Sequence, residues 1–169
     1  MIEPGKADQP LINTDFPSYN FDVIDGATYR IDLSQPPKYD AKGGVANAGS
    51  NRIVDLKFDG KPIDPAAKFV VATNNYRAGG GGNFPGIDAS KMIYEAPDTN
   101  RDVIVRYVVS EGTINPSADD NWSFAPLPGA SVLFETGPRA KDFITGVKSL
   151  KIEPAGEGEA GFARYRITL

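Results

Sequence analysis

The sequence predicts an α+β domain built on mixed sheets, with about eight strands and one or two helices. Three observations lead there. Short stretches of alternating apolar and polar residues come in runs instead of alternating strictly with helical stretches, which argues against a doubly wound sheet. Turn signals are dense, with 18 glycines and 14 prolines in 169 residues. One segment, Asn100 to Glu111, carries helical spacing through Val103, Ile104, Tyr107 and Val108.

The elements follow in order. Residues 1–17 are polar, are interrupted by Pro4, Gly5, Pro10 and Pro17, and read as an irregular lead-in; residues 18–169 read as a single domain with no internal repeat and no dividing linker. Tyr19, Phe21 and Val23 alternate with Asn20 and Asp22, which predicts a half-buried strand. Asp25-Gly26 is a turn pair, and Thr28 to Leu33 alternates again, so a hairpin is expected. Ser34 to Ser50 is loop, punctuated by Pro36-Pro37, Gly43-Gly44 and Asn47. Arg52 to Phe58 alternates as a strand and closes on the turn pair Asp59-Gly60.

Phe69 to Thr73 is a continuous apolar run, which predicts a buried central strand paired through a link that Pro62 and Pro65 lengthen. Asn74 to Gly86 is a glycine-rich loop, and Met92 to Tyr94 reads as a short strand. Asp98 or Thr99 caps the helix and Gly112 stops it. Residues 113–131 read as loop, with Asn121-Trp122-Ser123-Phe124 inside. A strand over Val132 to Glu135 and a short helix over Pro138 to Thr145 come next, with proline at an early helical position. Val147 to Glu153 and Phe162 to Leu169 alternate as two closing strands around the acidic turn Pro154 to Gly161.

Composition narrows the chemistry. A chain of this length buries roughly 70% of the surface it exposes when unfolded, enough for a core without covalent staples. It contains no cysteine and no histidine. Disulfides, thiolate nucleophiles and thiolate-bound zinc are therefore excluded, and so are the commonest general base and the imidazole metal ligands. The formal net charge is −4 and no basic stripe is present, so nucleic-acid polymers are poor partners. No apolar run approaches the roughly 20 residues of a membrane span. Met1 to Pro10 holds no apolar signal-peptide core, and Met1 reads as a truncated start.

The loop from Arg77 to Gly86 is the most unusual stretch. Four consecutive glycines, Gly79 to Gly82, are costly to order and make sense where backbone approaches a ligand closely; a flexible surface loop is the plain alternative. It fits neither a phosphate loop nor G-x-G-x-x-G. Tyr76 stands just before it, where an aromatic ring beside bare backbone is suited to stacking on a planar base. Asp22, Asp25 and Asp32 are explained by surface strand and turn positions, and Asp119-Asp120 lacks the spacing of a calcium loop. Asn121-Trp122-Ser123 matches a glycosylation acceptor of the kind that arises by chance.

Several segments in order carry a resemblance: Tyr19-Asn20-Phe21-Asp22-Val23-Ile24-Asp25-Gly26, Tyr29 to Pro36, Arg52-Ile53-Val54 with Gly60 to Pro65, Val71 to Ala78, Pro97 to Arg101, and Asn115-Pro116 with Phe124-Ala125-Pro126. From about residue 10 to the end, the chain resembles the C-terminal domain of the 2',3'-cyclic-nucleotide 2'-phosphodiesterase/3'-nucleotidase branch of the 5'-nucleotidase family. The resemblance implies a periplasmic or otherwise exported two-domain hydrolase of 2',3'-cyclic nucleotides and 3'-nucleotides. Its N-terminal metallophosphoesterase domain, absent from this chain, carries the divalent metals and the catalytic residues. No cofactor, metal ligand or catalytic residue is then expected here, and the chain alone is expected to be inactive.

The resemblance also implies that this domain grips an adenosine-type nucleoside, usually between two aromatic rings. Tyr76 matches the position of one of them. The other comes either from a segment upstream of this chain or, as in the 5'-nucleotidase branch, from the strand matching Tyr19 to Ile24, which here points to Phe21. Asn74, Gly80, Gly81, Gly82, Asn83 and Phe84 complete the expected substrate-binding set. Many 5'-nucleotidases have Gly-Gly-Asp-Gly-Phe in this loop, the aspartate holding the ribose. The matching stretch here is Gly80-Gly81-Gly82-Asn83-Phe84, so that carboxylate is missing and Asn83 is at most a neutral substitute. A stand-alone α+β binding or adhesion module without a nucleotide role is the competing reading.

Overall fold

A computed structural model describes residues 1–169. Its strands, in chain order, are β1 (Gln9–Pro10), β2 (Thr28–Ile31), β3 (Ile53–Phe58), β4 (Lys61–Pro62), β5 (Trp122–Phe124), β6 (Ser131–Thr136), β7 (Lys151–Glu157) and β8 (Ala163–Thr168). Two α-helices, α1 (Asn75–Ala78) and α2 (Asn100–Glu111), lie between β4 and β5. The fold is the expected α+β arrangement: two mixed sheets of four strands, ordered β1-β6-β8-β7 and β4-β3-β2-β5. The chain forms two compact units. The first comprises Met1–Asp40, Val45–Pro65 and Asp120–Leu169, and the second Ala41–Gly44 with Ala66–Asp119. Both sheets belong to the first unit and both α-helices to the second.

In the first unit, β6 and β8 form the structural centre. Their antiparallel register sets Val132 opposite Ile167 and Phe134 opposite Tyr165. The period of two then places these four residues on one face. Val132 is 0% exposed and Tyr165 1%, and the Phe134 and Tyr165 rings stack with centroids 5.8 Å apart. The opposite face is charged. Glu135 lies across from Arg164 and accepts its guanidinium hydrogen bond at 2.9 Å, while Arg166 donates to Asp8 at 2.7 Å. That hydrogen bond is the first cause holding the Asp8 carboxyl below its usual range. Ile2, Ala130, Val132 and Ile167 form the buried cluster, and Phe124 of β5 and Leu33 after β2 pack onto it. The core therefore draws on both sheets.

The second sheet differs from the expected hairpin. Tyr19 to Ile24 is not a strand: a 3-10 turn covers Ser18–Asn20, the rest is irregular, and Tyr19, Phe21 and Val23 are exposed. The reason is positional. β2 pairs with β3 on one side and, in parallel, with β5 on the other, so it has no free edge. β5 itself arises inside the expected loop 113–131. Asn121, just before it, donates its side-chain amide to the carbonyls of Ile24 at 2.7 Å and Ala27 at 3.0 Å. The residue of the glycosylation-like triplet is thus committed to tying this turn.

The apolar run Phe69 to Thr73 is neither a strand nor buried; Val70 is 80% exposed. β3 turns back on itself at Asp59-Gly60, both at positive φ, and pairs with β4 instead. Pro62 has no N–H to extend that ladder. Met92 to Tyr94 is likewise not a strand but follows a 3-10 turn at Ala89–Lys91, capped by Asp88, which accepts from the Ser90 N–H at 2.8 Å. Pro138 to Thr145 forms two 3-10 turns, Pro138–Asp142 and Ile144–Gly146, and no α-helix. The closing strands pair as expected, though β7 begins at Lys151 and runs into the stretch read as turn.

Helix α2 has the bounds its spacing predicts. Thr99 accepts from the Asp102 N–H at 3.2 Å, Asp102 accepts in return from the Thr99 N–H at 3.3 Å, and Gly112 ends the helix at φ 69°. No residue of α2 is buried, so its ends matter more than its packing. Thr99→Ala is expected to cost the helix about 1 kcal/mol. Amide exchange across Val103 to Glu111 should then accelerate about fivefold. Unchanged exchange there would show that the capping box contributes nothing.

Candidate functional site

The expected site residues fall into two groups. Asn74, Tyr76, Gly80, Gly81, Gly82, Asn83 and Phe84 come together in the second unit, around α1 and the loop that leaves it. Phe21 belongs to the first unit, where its ring meets Trp122 edge-on at 5.9 Å.

Helix α1 is a single turn. Asn74 caps it by accepting from the Arg77 N–H at 2.8 Å. The Gly81 N–H donates to the Tyr76 carbonyl at 2.8 Å, which folds the glycine loop back over the turn. A Cβ placed on Gly81 would lie 2.6 Å from Cε1, Cε2 and Cζ of Tyr76 alike. A point equidistant from three ring atoms lies on the ring axis, so Gly81 covers one face of Tyr76 directly. Tyr76 nonetheless remains 54% exposed. The loop is also held from behind. Gly43, at φ 81°, backs onto the Asn83 carbonyl so closely that any Cβ there would lie 2.4 Å from the oxygen. Asn83 itself turns the chain at φ 58°, a conformation asparagine tolerates better than most residues.

Nothing in the sequence by itself assigns a role to Arg77. It is only 6% exposed. Its guanidinium donates to the Gly81 carbonyl at 2.6 Å, and its carbon stands 4.0 Å from the centre of the Phe84 ring and 5.7 Å from that of Tyr76. The sequence signal for it is a cation set between two aromatics, Tyr76 and Phe84, across a run of glycines. A separate open groove of about 490 Å³ lies in the first unit, lined by Thr28, Tyr29, Arg30, Asp55, Lys57 and Trp122 among others. Arg30 donates from Nε to Asp55 at 2.7 Å across it. None of the expected site residues lines this groove. No three carboxylates of the chain converge as metal ligands do.

The family described as 5'-nucleotidase, C-terminal domain, matches residues 6–89. The 2',3'-cyclic-nucleotide 2'-phosphodiesterase/3'-nucleotidase of Haemophilus influenzae is 43% identical over 171 residues, covering 95% of this chain and 26% of its own length. The protein of the same name from Salmonella typhimurium is 44% identical with the same coverage. This chain belongs to the 5'-nucleotidase C-terminal domain family. The trifunctional nucleotide phosphoesterase protein YfkN of Bacillus subtilis shares 49% identity over 143 residues, which is 84% of this chain and 10% of that protein. This 5'-nucleotidase C-terminal domain thus spans about a quarter or less of the curated relatives named here. No solved structure matches it. The family match includes Tyr76 and the whole glycine loop, and it ends before α2.

Proposed function

We propose that this chain is the nucleoside-recognising domain of an exported hydrolase acting on 2',3'-cyclic nucleotides and 3'-nucleotides. In this reading, phosphoester cleavage and its divalent metals belong to a metallophosphoesterase domain outside the chain. Tyr76 supplies the stacking surface for an adenine-type base. The glycine loop brings backbone groups near the ribose, and Asn83 is a neutral partner where many 5'-nucleotidases place a carboxylate. The observation that carries the proposal is the Tyr76 ring, supported on one face by Gly81 and still more than half exposed. A base stacked on the other face meets a rigid, half-desolvated aromatic.

Stacking on a single aromatic is worth about 1–3 kcal/mol. The chain by itself should accordingly bind adenosine weakly, near the 1 mM that corresponds to about −4.1 kcal/mol. Titration of the chain with adenosine, followed by NMR, should give saturable shifts centred on Tyr76 and Gly80 to Phe84. Shifts confined to the groove around Arg30 and Lys57, or none up to the solubility limit, would remove the nucleoside role.

A further inference from the structure

Building on the nucleoside reading, we propose that Arg77 is the positioning residue of the site: its buried guanidinium clasps the Gly81 backbone against one face of Tyr76, leaving the opposite face for the base. Three observations converge on this side chain. It is almost wholly buried in a unit where no residue of α2 is, which is unusual for a cation. Its planar head lies 4.0 Å from the Phe84 ring centre, well within cation–π range. From there it donates to the carbonyl of Gly81, the residue that covers Tyr76.

The arrangement answers a problem set by the sequence. Gly79 to Gly82 have no side chains with which to hold themselves in place, and glycine loses more freedom on ordering than any other residue. The N–H groups of Gly79, Gly80 and Gly81 are held by carbonyls of the preceding turn, so what a side chain has to supply is a tether for the Gly81 carbonyl. Arg77 provides it from one residue beyond Tyr76. Phe84, on the far side of the glycines, supplies the surface on which the guanidinium rests. Ring, tether and surface thus bracket the glycines, and the loop is fixed without placing a Cβ in the site. Lysine cannot replace arginine here, because a point charge on a flexible stem has neither the flat face for Phe84 nor a fixed fork for Gly81.

The test uses the 169-residue chain with two variants, Arg77→Lys and Phe84→Leu. The Gly81 Hα resonances report whether the residue sits over the Tyr76 ring, since a ring face shifts such protons strongly upfield. Both variants should move these resonances toward ordinary glycine values and leave the signals of β6 and β8 in place. Adenosine affinity should fall on the order of fivefold in each, the size of a lost cation–π contact. If Arg77→Lys leaves both the Gly81 resonances and adenosine binding unchanged, the clasp is wrong, while wild-type binding would keep the nucleoside reading intact. If the variants release Gly81 but adenosine binding does not change, Arg77 only supports the loop and its positioning role is overturned. If the wild type binds no adenosine, the nucleoside reading itself fails and the positioning role falls with it, even where the Gly81 resonances move.

Discussion

Replacement of Tyr165 by alanine is expected to destabilise the chain by about 3–5 kcal/mol, the range for truncating a fully buried aromatic. Tyr165 is 1% exposed and stacks on Phe134 at 5.8 Å, with its β8 neighbours tied to β6 along the whole ladder. Two losses combine. The ring's apolar area returns to water, and a cavity opens beside Phe134 that the flanking strands fill only in part. The hydroxyl contributes much less. It donates to the Pro138 carbonyl at 3.3 Å, a long hydrogen bond. Tyr165→Phe should therefore cost about 1 kcal/mol or less. Urea denaturation followed through Trp122, which sits in the same unit, measures both. A loss below about 1.5 kcal/mol for Tyr165→Ala would mean that the β6–β8 face is not the centre of the core.

The second large effect concerns Gly81→Ala. The backbone of Gly81 does not lie in the left-handed region, so alanine is tolerated there conformationally. What it cannot avoid is the Tyr76 ring, because the added methyl would lie 2.6 Å from three ring carbons. Ring or loop has to move, and either movement breaks the pairing of Gly81 with one face of Tyr76. Adenosine binding to the chain should drop by at least about tenfold, the equivalent of 1.4 kcal/mol, which lies within the range for one base–aromatic stack. In an enzyme containing this domain, the same change should raise KM far more than it lowers kcat, because stacking holds ground and transition states alike. Tyr76→Ala should match it, and Tyr76→Phe should be nearly silent. Wild-type affinity in Gly81→Ala would show that the covered ring face plays no part in recognition.

How much of the site was legible follows from where its information resides. Tyr76, Asn83 and the four glycines stand out in the sequence as candidates, since such a run suits either close backbone approach or a flexible surface loop. Arg77 did not, because nothing local distinguishes a buried cation from a solvated one. Its role depends on Phe84 and Gly81 folding back to meet it, and those are contacts made across the loop. Phe21 shows the converse. Its alternating neighbours suggested a strand, but strand formation needs a free edge to pair with, and β3 and β5 already occupy both edges of β2.

The sequence alone determined the elements whose stability is local. Helix α2 runs from its Thr99 cap to Gly112 because capping groups and helical spacing act within a few residues. The β3–β4 turn forms at Asp59-Gly60 because both residues accept positive φ. The α+β class followed from the rhythm of such signals. Tertiary structure alone decided which strands pair and which apolar residues are covered. Phe69 to Thr73 has the composition of a central strand and yet joins no sheet and stays exposed, while the three residues of β5 form a ladder with a partner some ninety positions earlier in the chain. The physical reason is that a strand has no internal hydrogen bonds. Its existence is settled by whichever edge is available, and that choice is made by the whole chain and not by the segment.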